Sequence, residues 1–127
     1  MKKKEITICG KPVTLGYCYA TEIGYKLLSD HDIADFAKEV AECLTVEPPS
    51  MPDTLNVIHA ILASVNAYYE SKSEESPIKD TDLMYEASPT EIGTALGTII
   101  SLRAEFYHLP TDEPADKPKD DDTEKKD

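Results

Sequence analysis

No apolar run in this chain is long enough to cross a bilayer. The longest, Ile92 to Leu102, spans eleven residues, against the roughly 18 to 20 that a spanning helix needs. The Met1-Lys2-Lys3-Lys4 start carries the charge of a signal peptide's first region, but Glu5 follows and no apolar stretch of the required kind comes next. A cytoplasmic protein is expected. Cysteine is scarce too: Cys9, Cys18 and Cys43 are odd in number, lie nine and twenty-five residues apart and include no CxxC pair, so they form no disulfide framework. Small buried hydrophobes are the expectation for all three, since a Cys-His nucleophile would have to assemble in space without any motif. Glycine occurs five times and never as a run before a helix start, which excludes a P-loop and a dinucleotide fingerprint.

Metal ligands are equally thin. His31, His59 and His108 stand on three different predicted elements with no second ligand at i+3 or i+4. Asp30-His31-Asp32 lacks the glycine and distal glutamate of a calcium loop, and Asp120-Asp121-Asp122 lies in a stretch with no fixed geometry. Solvated charge is the expectation for both. No cofactor, no metal and no catalytic constellation are predicted, so the chain reads as a non-enzyme.

Positive charge is also in deficit. The formal net charge is −12 over 127 residues, with 25 acids against 13 basic side chains. Without a basic patch to release counterions, neither nucleic acid nor an anionic membrane is an expected partner. Part of that charge belongs to the tail. From Pro110 to Asp127 the chain holds three prolines, eight acids, four lysines and no apolar residue except Ala115. Such a segment cannot bury enough surface to offset ordering entropy and is expected to be disordered. The folded domain is then residues 1–109, the acidic tail 110–127, and the domain itself still carries −8.

What the chain does have is pattern. Glu5-Ile6-Thr7-Ile8-Cys9, a Gly10-Lys11 break and Val13-Thr14-Leu15-Gly16-Tyr17 alternate at period 2 and predict a β-hairpin. Two strands alone are marginal in water, so this hairpin needs helices behind it or a partner's surface, and an open edge invites pairing. Helical patterns follow. Tyr19 to Leu28 predicts a first helix with Ile23 and Leu27 at i, i+4. His31 to Leu44 predicts a second, capped by Asp30, with the stripe Ile33, Phe36, Ala37, Val40 and Leu44. The prolines of Glu47 to Pro52 make a linker. Asp53 to Ser71 predicts a third helix on Leu55, Ile58, Leu62, Val65 and Tyr69, broadened by Ile61 and Tyr68. One more turn is expected over Thr81 to Glu86. Ser88-Pro89-Thr90-Glu91 spells a capping box with proline at the first helical position, opening a last helix to about His108 with the stripe Ile92, Ala95, Leu96, Ile99, Leu102 and Phe106. The expected fold class is mainly α: a small domain of four to five helices behind an N-terminal β-hairpin.

Protein-binding candidates come from the hairpin and from one helix face. Ile6, Ile8, Val13 and Leu15 belong to the open hairpin, and Tyr17 and Tyr19 sit, with Tyr25, where it meets the first helix, as core fillers or interface residues. Gly93 and Gly97 put a flat groove on the last helix. It serves either close packing against the third helix or contact with another subunit.

The hairpin Glu5 to Leu15, followed by Tyr17, Thr21-Glu22, Leu27-Leu28 and the polar step Ser29-Asp30 before an acidic helix, resembles the opening of the tail assembly chaperones of long-tailed, Siphoviridae-like bacteriophages. The likeness covers about the first 45 residues, and size, acidity and a charged tail are in keeping. The resemblance implies a non-enzymatic phage or prophage protein of the bacterial cytoplasm that coats the tape measure protein during tail assembly, is absent from the finished virion and often occurs in two forms made by translational frameshifting. The residues alone also suit a weak homo-oligomer that holds a helical client. They equally suit a different class, a small acidic regulatory or antitoxin-like module that neutralises a basic protein.

Overall fold

The computed structural model describes residues 1–48, 50 and 52–109, without the side chain of Leu44. The expected disordered tail, and with it Asp120 to Asp122, lies outside the described residues, as does Leu44's place in its stripe. An antiparallel hairpin, β1 (Lys2–Ile8) and β2 (Lys11–Tyr17), precedes α1 (Tyr19–Ser29), α2 (Ile33–Thr45), α3 (Thr54–Ser71), α4 (Asp80–Tyr85) and α5 (Pro89–Tyr107). The fold is therefore mainly α behind a β-hairpin, as the patterns predict. No helix of the described residues is long and apolar enough to cross a membrane.

The turn is one residue earlier than the Gly10-Lys11 break suggests. Ile8 pairs with Lys11, leaving Cys9 and Gly10 as a two-residue loop with φ of 55° and 75°. Two positive φ values in succession are what a type I′ turn needs, and Gly10 adopts its value without a side-chain clash. The register then puts Ile8, Ile6, Lys4 and Lys2 on one face with Lys11, Val13, Leu15 and Tyr17. Of these, Ile8, Val13, Leu15 and Tyr17 are fully enclosed.

α3 is the centre of the core. Val57, Ile58, Ala60, Ile61, Ala63, Ser64, Val65 and Ala67 are all buried, so most of its girth is covered and not one stripe alone. Leu55 of the expected stripe is exposed instead. α1 and β2 both pack on α3, while α5 lies under β1 and β2. The Ser88 to Glu91 capping box forms as expected, with Ser88 Oγ accepting from the Glu91 amide at 3.1 Å and Glu91 Oε1 from the Ser88 amide at 3.1 Å. Asp30 does not cap α2. It closes α1 in the left-handed region at φ 65°, a conformation that aspartate tolerates better than most residues, and Asp32 takes the N-cap position of α2.

Candidate protein-binding surface

The two edges of the hairpin end differently. On β2, the outward amide of Thr14 donates to Tyr69 Oη at 3.2 Å, and the Gly16 carbonyl accepts from Thr21 Oγ1 and Ser64 Oγ, both at 2.9 Å. Pro12 on the same edge has no N–H to offer. α1 and α3 thus close this edge with side chains. On β1, the residues whose backbone groups point outward are Lys3, Glu5 and Thr7, and none has a hydrogen-bond partner among the described residues.

The turn is fastened from the far end of the chain. Glu91, already in its capping box, accepts from the Cys9 amide at 3.1 Å and the Gly10 amide at 3.4 Å. The Ser88 and Cys9 amides, with Gly10 and the Ser88 hydroxyl, hold its carboxyl below the usual carboxylate range. The same contact bears on Cys9. Burial and then the Glu91 charge push the thiol up, and its Sγ donates to the Asp82 carbonyl at 3.4 Å. Cys9, Cys18 and Cys43 are all free and half-buried. His31 and His108 are exposed and His59 is half-buried on α3, and among the described residues no three potential ligands come together.

The residues expected to meet a partner separate into two sets. Ile8, Val13, Leu15 and Tyr17 belong to the core, so their side chains are closed to any partner, and the hairpin offers one open backbone edge in place of an apolar strand face. Ile6 is half-buried beside them. Gly93 and Gly97 are exposed, and a Cβ built on either would meet nothing within 4 Å. Close packing against α3 is therefore not their role: the glycine face looks outward. It continues along α5 through Thr94 and Ser101 into an open groove of about 400 Å³ that Lys4 and Glu105 share.

Tyr19 is the other outward residue, and it leads to an apolar surface on α1. The spacing of Ile23 and Leu27 predicts the helix, which forms, and the pair faces outward with Tyr19: Tyr19, Ile23 and Leu27 are 65%, 60% and 81% exposed. They recur every four residues and form one apolar ridge along α1. The buried face of α1 is Thr21 and Tyr25. Thr21 is held inward by its bond to Gly16, and Gly24 lets the helix settle on α3, where an added Cβ would lie 3.6 Å from that of Ala63. Leu27 and Leu28 also border a groove of about 230 Å³ between α1 and α3, floored by Ala20, Gly24, Ala63 and Ala67.

The ridge sits on a firm mount. Tyr17 and Tyr107 donate to the same Glu22 oxygen at 2.8 and 2.5 Å, tying β2, α1 and the end of α5 together. Burial and the Glu22 bond push the Tyr17 hydroxyl far up, and the Glu22 bond raises Tyr107 to about 12. Phe106 packs against both Tyr17 and Tyr19, at ring separations of 5.6 and 5.2 Å. The chain matches no family model, no curated protein and no solved structure.

Proposed function

We propose that the protein is a non-catalytic binding module that holds a long α-helical client, in the manner of a tail assembly chaperone on a tape measure protein in the bacterial cytoplasm. The α1 ridge carries this reading. Three large apolar side chains at four-residue spacing, beside a groove with a small-residue floor, suit the apolar stripe of another helix. Burying side chains of this size contributes roughly 1.5 to 3 kcal/mol each. The surrounding acidity keeps the protein soluble while the ridge is free. Copies of the protein associate weakly with one another in the same reading. The net charge of −12 favours a second reading, an acidic module that neutralises a basic protein. The two differ in what carries the binding.

The test is the double substitution Ile23→Asp/Leu27→Asp. Both positions are more than half exposed, so the thermal midpoint should hold. Titration calorimetry against fragments of a tape measure protein from the same genome should lose binding by at least about tenfold. Wild-type protein that ignores the fragments, or a double variant that binds them unchanged, ends the chaperone reading. Binding that survives the substitutions but collapses with rising salt supports the acidic module.

A further inference from the structure

We infer that β1 pairs antiparallel with β1 of a second copy about a two-fold axis at Lys4, joining two hairpins into one four-stranded sheet with the small-residue flanks of two α5 helices facing each other beneath it. This deepens the self-association in the reading above and needs no client. Three observations converge on it.

The first is which backbone groups are free. Ile8 and Lys11 flank a two-residue turn, so they, Ile6 with Val13, Lys4 with Leu15 and Lys2 with Tyr17 exchange hydrogen bonds within the hairpin. Lys3, Glu5 and Thr7 are left facing out on an edge that no described residue covers, whereas the β2 edge is closed by Tyr69, Thr21 and Ser64.

The second is charge. With the axis at Lys4, Lys3 of each copy lies opposite Glu5 of the other, and both are residues whose backbone groups point outward, as pairing requires. Moving the axis by one residue puts Lys3 opposite Lys3 or Glu5 opposite Glu5. Like charges directly opposite destabilise a strand pair. An axis at Ile6 makes no charge pair at all. The Lys4 side chains meet at the axis as one like pair against the two opposite pairs, with Glu105 of each copy lining the same groove.

The third is space under the sheet. Neighbouring strands lie about 4.8 Å apart, while helices bearing ordinary side chains pack about 8 to 10 Å apart. Because α5 lies under both strands of its hairpin, joining two hairpins through β1 sets the two α5 helices roughly two strand spacings apart, about 10 Å, where their facing flanks come into contact. The flank of α5 beside Lys4 is Thr94, Gly97 and Ser101, and the space above Gly93 and Gly97 is empty. The helix is cut back on the side where a second one needs room.

Sedimentation velocity of the full chain over a concentration series, at about 0.3 M salt to screen the net acidity, tests the pairing. The expected species is a monomer in equilibrium with a dimer. Lys3→Glu and Glu5→Lys should each weaken association about tenfold, because each sets like charges opposite twice. The double reversal keeps the wild-type net charge and restores opposite pairs, so it should recover association to within about twofold of wild type. Gly97→Leu should abolish the dimer with the thermal midpoint kept. A strict monomer at every concentration, a double reversal no better than the single ones, or a Gly97→Leu protein that dimerises normally each overturns the inference. None of these outcomes touches the α1 ridge, so the Ile23→Asp/Leu27→Asp titration stands or falls separately.

Discussion

One strand of the hairpin has a closed edge and the other an open one, though the two strands are equally long and pair along their whole length. On β2, Thr14 and Gly16 find Tyr69, Thr21 and Ser64. On β1, the outward backbone groups of Lys3, Glu5 and Thr7 find no hydrogen-bond partner among the described residues. The difference lies in what the neighbouring helices carry. α3 and α1 run beside β2 and present hydroxyls at its height, whereas α5 lies beneath both strands and lines a groove beside Lys4 with glycine, threonine and serine. Edge strands in monomeric proteins are usually blunted by charge, proline or cover. Here proline and cover protect β2, and β1 has only the charges of Lys3 and Glu5.

The largest effect should come from unsealing the closed edge. The Gly16 carbonyl is buried with two donors, so Thr21→Val or Ser64→Ala alone leaves it one partner. Removing both leaves a buried carbonyl unsatisfied, which costs about 1 to 3 kcal/mol. The double variant should therefore lose more stability than the two single losses added together. Urea unfolding of the four proteins measures this, and strict additivity would show that one hydroxyl never satisfied the carbonyl.

Much of this arrangement was open to reading in the sequence, and the rest was hidden for identifiable reasons. The period-2 arms and the Ser88 to Glu91 box are local patterns, and both elements form, the hairpin with its turn one residue earlier than the pattern suggests. The second use of Glu91, on Cys9 and Gly10, is invisible locally because it joins residues more than eighty positions apart. Which face of α1 turns inward could not be read locally, because periodicity registers hydrophobicity and not partners. Ile23 and Leu27 look like a core stripe, but a threonine with a carbonyl to bond and a glycine with an alanine to approach decide which side goes in. Gly93 and Gly97 show the converse. Two glycines in a helix signal close approach, and nothing local tells whether the neighbour is within the chain or outside it. The sealing of β2 by Tyr69 and Ser64 depends on α3 lying alongside, which no spacing predicts.

A smaller effect is expected at the turn that both edges share. Glu91→Gln removes the charge that accepts from two hairpin amides and from the Ser88 amide of the capping box, so the thermal midpoint should fall at neutral pH. The carboxyl's folded value lies below its ordinary 4.5. Its contribution is therefore fully present above that ordinary value and is lost as pH falls through the lowered folded value. The gap between wild type and Glu91→Gln should narrow in that acid window while other carboxylates titrate equally in both. A gap of constant size down to strongly acid pH would mean that the charge on Glu91 does not hold the turn.

The smallest effect sharpens the comparison most. Tyr69→Phe takes away only the hydroxyl that receives the Thr14 amide, leaving the ring and its 4.9 Å contact with Tyr68 in place. The loss should be about 0.5 to 1.5 kcal/mol, the net worth of one hydrogen bond, and nearer the lower figure if water reaches the half-buried amide. Glu5→Lys on the open edge should change monomer stability by less than about 0.5 kcal/mol, because it removes no intramolecular bond. Amide hydrogen exchange reads both edges in one experiment. In wild type, below the association range, Thr14 should be protected while Lys3, Glu5 and Thr7 exchange freely, and in Tyr69→Phe the Thr14 amide should join them. Protection at Lys3, Glu5 and Thr7 in dilute monomer would mean that β1 is covered after all, and the difference between the two edges would disappear.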